Sequence, residues 1–247
     1  MSFWADPRER TPTTMQIVDL SQPIYETMKV FPGHCKTVQF QHAYHYETGP
    51  NFVDDHKGDR FSFQTTGLLI NDNGPTHVDS FSHLDTDPDA ETIDQMPLDL
   101  FFGTGICLDV SHVAERTDIT VADCENALEQ SGQELREGDV LLFHTGHYER
   151  HKDTLEYLDQ HSGLGAEASD WVAAHKVKVF GVDTPTPDNP ASKIFPAHIM
   201  SKLERITHYE NLANLDKLLG TRFMFYGFPL KIKGGHGGPT RAVAVIE

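Results

Sequence analysis

The apolar and polar positions of the chain sort into short runs with two periods. Phe61 to Ile70, Thr104 to Val110, Val140 to His144 and Val177 to Val182 are apolar runs of strand length. Helical spacing falls between them. Thr120 followed three residues later by Asp123 reads as a capping box for a helix ending near Gly132. Glu167 to His175 carries Ala168, Trp171 and Val172 on one helical face. Pro196 suits the first turn of a further helix, with Ile199, Leu203 and Ile206 as its apolar stripe and His198 beside it. Beyond it, aromatic-rich Thr221 to Phe228 and weakly alternating Arg241 to Ile246 read as strands around a glycine-dense turn, Lys233 to Pro239. The early β-α-β-α-β order favours parallel pairing and the late hairpin-like turns antiparallel pairing. The expected architecture is an α/β single domain with a mixed β-sheet and flanking helices, preceded by a loop-rich first third.

Composition narrows the function without naming it. A chain of 247 residues, 38% hydrophobic and 23% charged, can bury one sizeable core. No apolar run reaches the roughly 18 residues of a membrane span. The first residues, MSFWADPRERTPTT, lack the apolar stretch of a secretory signal, so a cytoplasmic protein is expected, with a frayed N-terminal arm over residues 1–17 and the domain over 18–247. Three cysteines, Cys35, Cys107 and Cys124, without C-x-x-C spacing suggest neither a disulfide framework nor a thiolate metal site. A formal charge of −17 argues against nucleic acid and anionic membranes as partners, because both require a basic surface.

Candidate chemistry concentrates in NGPTHVDSFSH, Asn73 to His83. The two-residue step from His77 to Asp79 puts both side chains on one face of an extended segment, and His83 adds a second imidazole. Imidazole with carboxylate suits Zn, Mn, Fe or Ni. Fifteen histidines in the chain will also produce such clusters by chance. A second pair lies far along the chain: His198 at the start of the Pro196 helix, and Glu210 twelve residues later.

With these motifs in this order the chain resembles the cyclase family of metal-dependent hydrolases, which includes kynurenine formamidase, isatin hydrolase and trans-dienelactone hydrolase. The family pattern H-x-G-T-H-x-D-x-P-x-H aligns with Asn73 to His83, and its later His and Glu with His198 and Glu210. GDVLLFHTG at Gly138 to Gly146, GVDTPTPD at Gly181 to Asp188 and GGHGGPTRAVAV at Gly234 to Val245 extend the match from about Val18 onward. The resemblance implies a swivelling β/β/α fold and a homodimer or higher homo-oligomer. It also implies a divalent metal, Zn or Mn, held by His77, Asp79, His198 and Glu210, with His83 transferring protons. Asn73 stands where the family has its first metal-binding histidine, Pro75 at its glycine and Phe81 at its proline. If Asn73 is a ligand, its harder amide oxygen favours an ion such as Mn²⁺.

The activity implied is hydrolysis of a carbonyl C–N or C–O bond in a small amide, lactam or lactone, with the metal lowering the pKa of water towards about 7. The alternatives are an arylformamidase acting on N-formylkynurenine-type substrates and a homologue that only binds metal or ligand. Phe61, Phe63, Phe81, Phe101 and Phe102 are candidates for the wall of an apolar pocket or for the core, with Phe81 the best placed of them. His236, between glycines, is a candidate substrate contact or a plain loop histidine. Lys231, Lys233 and Arg241 are candidate partners of a substrate carboxylate or a solvated strand end. His144 and His147, after a strand, read as surface residues.

Overall fold

The computed structural model describes residues 15–246. Among the described residues there are thirteen strands: β1 (Gln16–Asp19), β2 (Val38–Ala43), β3 (Thr65–Leu69), β4 (His77–Asp79), β5 (Phe102–Asp109), β6 (Asp118–Ile119), β7 (Val140–His144), β8 (Gly163–Leu164), β9 (Val179–Val182), β10 (His208–Glu210), β11 (Arg222–Tyr226), β12 (Gly237–Pro239) and β13 (Val243–Ile246). The α-helices are α1 (His45–Thr48), α2 (Phe81–Leu84), α3 (Val121–Ser131), α4 (His147–His151), α5 (Ala166–Ala174) and α6 (Pro196–Glu204). Residues 1–14 of the expected arm lie outside the described residues, while Gln16 and Ile17 pair with Ile246 and Val245 in the sheet.

Nine strands form one mixed sheet in the order β1-β13-β11-β5-β7-β9-β10-β4-β12. β5, β7, β9 and β10 run parallel, and antiparallel strands extend both sides. The expected mixed sheet with flanking helices is therefore present. Its centre is buried on both faces, which is why Val140 to His144 is continuously apolar up to its histidine. Leu141 and Phe143 pack with Cys124 and Ala127 of α3, Ala168 and Val172 of α5, and Ala197 and Met200 of α6. Val140 and Leu142 join a second core with Val78, Tyr209, Phe223 and Phe225.

Local sequence explains the helix that the capping box predicts. The Asp123 amide donates to Thr120 Oγ1 at 3.2 Å, and the Thr120 amide donates to Asp123 Oδ2 at 2.8 Å. Gly132 ends the helix in the left-handed region, φ 64°. Two expectations change. The strand expected from Phe61 starts only at Thr65, leaving Phe61 and Phe63 exposed. The stripe on α6 is also rotated: Ala197, Met200 and Ser201 face the sheet, and Ile199 and Leu203 are exposed. Small Ala197 and Ser201 let the helix lie close to the sheet, so hydrophobicity alone misplaces its inner face. Ile206 is buried, but beyond the helix end. Among the described residues no helix is long and apolar enough to cross a membrane.

Replacing Thr120 by Ala should cost about 1 kcal/mol of stability, the usual value of an N-cap, without altering the sheet. Urea denaturation would show it as a lower midpoint at unchanged slope, and an unchanged midpoint would mean that the cap contributes nothing here.

Candidate active site

Two three-residue strands carry most of the site. β4 reads His-Val-Asp and β10 reads His-Tyr-Glu, and they pair antiparallel with Glu210 opposite His77 and Tyr209 opposite Val78. Alternation sends Val78 and Tyr209 into the core and leaves His77, Asp79, His208 and Glu210 together on the other face. α6, packed over that face, adds His198, and α2 adds His83.

All six groups converge. His77 Nε2 lies 3.2 Å from Asp79 Oδ1 and 3.4 Å from Glu210 Oε2. His208 Nε2 lies 3.4 Å from Asp79 Oδ2 and 3.3 Å from Glu210 Oε1. His198 Nε2 stands 3.9 and 3.7 Å from the same two oxygens, and His83 Nε2 is 3.8 Å from Asp79 Oδ2. Asp79, His198, His208 and Glu210 each bring one ligand atom within 4.8 Å of the others.

Hydrogen bonds hold these groups from behind. His77 Nδ1 donates to the Pro75 carbonyl at 2.8 Å, which leaves the Nε2 lone pair turned towards two carboxylates. His198 Nδ1 is hydrogen-bonded to buried Asp188, whose other oxygen accepts the Ala197 amide at 2.7 Å. Ser201 Oγ lies 3.2 Å from His208 Nδ1. His77 Nε2 and Asp79 Oδ2 are buried and make no hydrogen bond. An imidazole lone pair facing carboxylate oxygens is repulsive unless a cation or a proton lies between them. A divalent metal fits this donor set of imidazoles and carboxylates, each fixed from its outer side.

Electrostatics show the same demand for positive charge. Burial opposes protonation of His77, but the Asp79 and Glu210 carboxylates outweigh it and push its pKa up to about 10. Burial likewise opposes a charged His198, and the Asp188 and Glu210 carboxylates raise it to about 9. Burial would lift Glu210, yet His208 and His77 hold it down at about 2. Asp79 is pulled well below the usual carboxylate range against the effect of burial by the histidines around it, His77 first.

The cluster opens into a cavity of about 370 Å³ lined by Met28, Val30, Phe31, Leu158, Pro185 and Phe195, with Lys29 and His34 among its polar groups. Phe195 holds φ 45°, a left-handed conformation unusual for a bulky residue, and its ring meets His198 edge-on at 5.9 Å.

His77, Asp79, His83, His198 and Glu210 are thus brought together, and other expectations are corrected. Asn73 turns its amide nitrogen to Asp79 Oδ1 at 2.6 Å, so it offers that carboxylate a donor and positions it. Gly237 permits this, since a Cβ there would stand 2.5 Å from Asn73 Nδ2. Phe81 is not on the cavity wall: it is buried in the core, with the Arg205 guanidinium 3.8 Å over its ring. His236 is exposed outside the cavity, and its backbone carbonyl accepts the Ser80 amide and hydroxyl, bracing the turn before His83. Phe101 is core, and Phe61, Phe63 and Phe102 are exposed away from the cavity. Arg241 pairs with Asp19. His144 and His147 are buried, not superficial, and burial lowers the His147 pKa to about 3. His208 and Asp188 went unassigned in the sequence, although T-H-Y-E repeats the two-residue step used to read His77 and Asp79.

The family model Cyclase, described as "Putative cyclase", matches residues 18–189. Isatin hydrolase A from Ralstonia solanacearum superposes with a TM-score of 0.80 at 22% identity, over 96% of this chain and 98% of that one. Isatin hydrolase A from Labrenzia aggregata, bound to benzyl benzoate, gives 0.78 at 22% identity over 94% of each. A "predicted metal-dependent hydrolase" from Bacillus stearothermophilus gives 0.70 at 21% identity, over 94% of this chain and 99% of that one. At these identities the structures establish a shared fold. The family match itself runs from the first strand through β4 and includes Asp188, the carboxylate that orients His198, and on that ground the chain belongs to the Cyclase family.

Proposed function

We propose that the protein is a metal-dependent hydrolase that opens a carbonyl C–N or C–O bond in a small cyclic or aromatic amide, lactam or lactone. The observation that carries this reading is the buried Nε2 of His77, unpaired between two carboxylates at the floor of the cavity. His77, Asp79, His198, His208 and Glu210 would hold a divalent cation, zinc or manganese by donor type. Such an ion, when bound, supplies Lewis acidity and makes water nucleophilic near neutral pH. Asn73 fixes Asp79 Oδ1, and Asp188 and the Pro75 carbonyl fix the two rings they touch. His83 has a side chain 36% exposed at the rim, and its Nε2 would take a proton from water and deliver it to the leaving nitrogen or oxygen. Phe31, Phe195 and Pro185 give a flat ring apolar contact, and a cavity of this volume fits a small molecule. The isatin hydrolases that share the fold make a cyclic aromatic amide a suitable first substrate.

A homodimer in the cytoplasm is part of this reading. β2 and β3 form a separate two-stranded ribbon that exposes Val38, Phe40, Leu68 and Leu69, and an isolated hairpin with an apolar face is marginal in water. A second copy would cover it. Cys35 is an exposed free thiol, which suits a reducing compartment.

Chelation should abolish turnover on a panel of isatins, lactones and formanilides, and Mn²⁺ or Zn²⁺ should restore it. Bound metal with no turnover across the panel would overturn the hydrolase assignment. His83→Ala should keep its metal and lose about 10²–10⁴-fold in kcat, whereas lost metal would make His83 a ligand.

Loading should also release protons. In the metal-free chain His77 and His198 titrate at about 10 and about 9, above the ordinary 6.5, so both are charged at pH 7. Their pairing with the carboxylates stabilises the metal-free chain fully below pH 6.5 and fades as pH rises through those values. Ligation needs neutral imidazoles, so these two rings should release about two protons per chain at pH 7, roughly half a proton at pH 10 and almost none above about pH 11. A pH-stat titration with Zn²⁺ measures this, and no release at pH 7 would contradict the ligand assignment. Sedimentation equilibrium should give twice the mass of one chain, and a monomer at micromolar concentration would refute the dimer.

A further inference from the structure

A second group of ligand-type side chains lies behind the cavity wall. Glu115, on the loop between β5 and β6, and His147 and His151 of α4 each place one ligand atom within 4.8 Å of the others. The two histidines are four residues apart, the spacing that stacks side chains on one helical face, and their ring centroids are 4.8 Å apart. His151 Nε2 lies 2.7 Å from Glu115 Oε1. His147 is fully buried, and its Nε2 lies 2.8 Å from the Tyr157 carbonyl, an acceptor only. The ring proton is therefore on Nε2 and the lone pair on Nδ1, which is buried and has no hydrogen-bond partner. A buried acceptor facing no donor is costly to keep, and native structures rarely leave one without a water or an ion. Neighbouring His161 has its Nε2 buried and unpartnered as well, with its ring 5.4 Å from that of His147. The nearest competing cation, Arg150, has its Nε 3.9 Å from Glu115 Oε1 and its Nη1 committed to the Thr145 carbonyl at 3.0 Å.

We propose that Glu115, His147 and His151 form a second site for a divalent transition metal of the zinc class, separate from the Asp79 cluster. Two imidazoles and one carboxylate are a three-residue donor set that zinc accepts with a fourth position left to water or another ligand. The ion would tie the loop carrying Glu115 to α4. Tyr157, stacked on His147 at 5.3 Å and lining the main cavity, would be held by the same link. The site thus braces one wall of the cavity from outside it.

The test compares the wild-type chain with an E115Q/H151Q variant, each stripped of metal, reloaded with Zn²⁺ and dialysed before zinc is counted per chain. Both changes are at partly exposed positions, and circular dichroism would verify the fold. The wild type should retain one zinc more than the variant, and E115Q alone should weaken that extra ion about tenfold or more. Crystals of the zinc-loaded wild type should show anomalous density at the zinc edge beside His147 Nδ1, a result that does not depend on any variant folding. Equal zinc contents in the folded proteins, or anomalous density confined to the Asp79 cluster, would overturn the proposal. Neither measurement reads hydrolysis, so this site and the proposed activity stand or fall separately.

Discussion

Two carboxylates buried side by side set the terms for the rest of the molecule. Asp79 and Glu210 share the imidazoles of His77, His198 and His208 within a few ångströms. Burying like charges together costs several kcal/mol unless positive charge lies between them. Much of the surrounding hydrogen bonding is directed to that condition. The Pro75 carbonyl, Asp188, Ser201 and Asn73 each occupy the outer side of one member, so that the inner atoms are left facing one another. A proton or a metal ion satisfies the same geometry, and for this reason metal loading and protonation are two answers to one electrostatic problem.

The sheet gives that arrangement its rigidity. Its parallel centre is covered on both faces, and the site sits where the order passes from parallel β9 and β10 to antiparallel β4 and β12. Most of the converging groups thus stand on paired strands and a packed helix, while the connections supply supporting hydrogen bonds and much of the cavity wall. Phe195 shows the cost of joining the two: a left-handed backbone of about 1–2 kcal/mol at an aromatic residue brings its ring beside His198.

The central strands, the capped helix α3 and the His77, Asp79, His198 and Glu210 set were legible because each rests on local periodicity or on motifs whose order along the chain is distinctive. His208 carried the same two-residue signal as His77, but a histidine beside a buried tyrosine reads equally well as core. The motif leaves the role of Asn73 open, because its position does not reveal which end of its amide meets Asp79. The cavity wall was the least readable part. Phe31, Lys29 and His34 lie in the loop-rich first third, where no period tells which side chains turn inward, and Phe81 had every local reason to face the site until Arg205 covered it. The inner face of α6 failed for a related reason, since close approach to the sheet selects small side chains over greasy ones.

The pairing of His-Val-Asp with His-Tyr-Glu has one more consequence. Successive residues of a pleated strand point to opposite sides, so a single insertion or deletion within either tripeptide would leave its imidazole and its acid on opposite faces of the sheet, one of them in the hydrocarbon interior beside Val78 and Tyr209. The chemistry is therefore encoded in the phase of two ribbons as much as in the identity of their side chains. In those six positions, variation that keeps the site is confined to substitution.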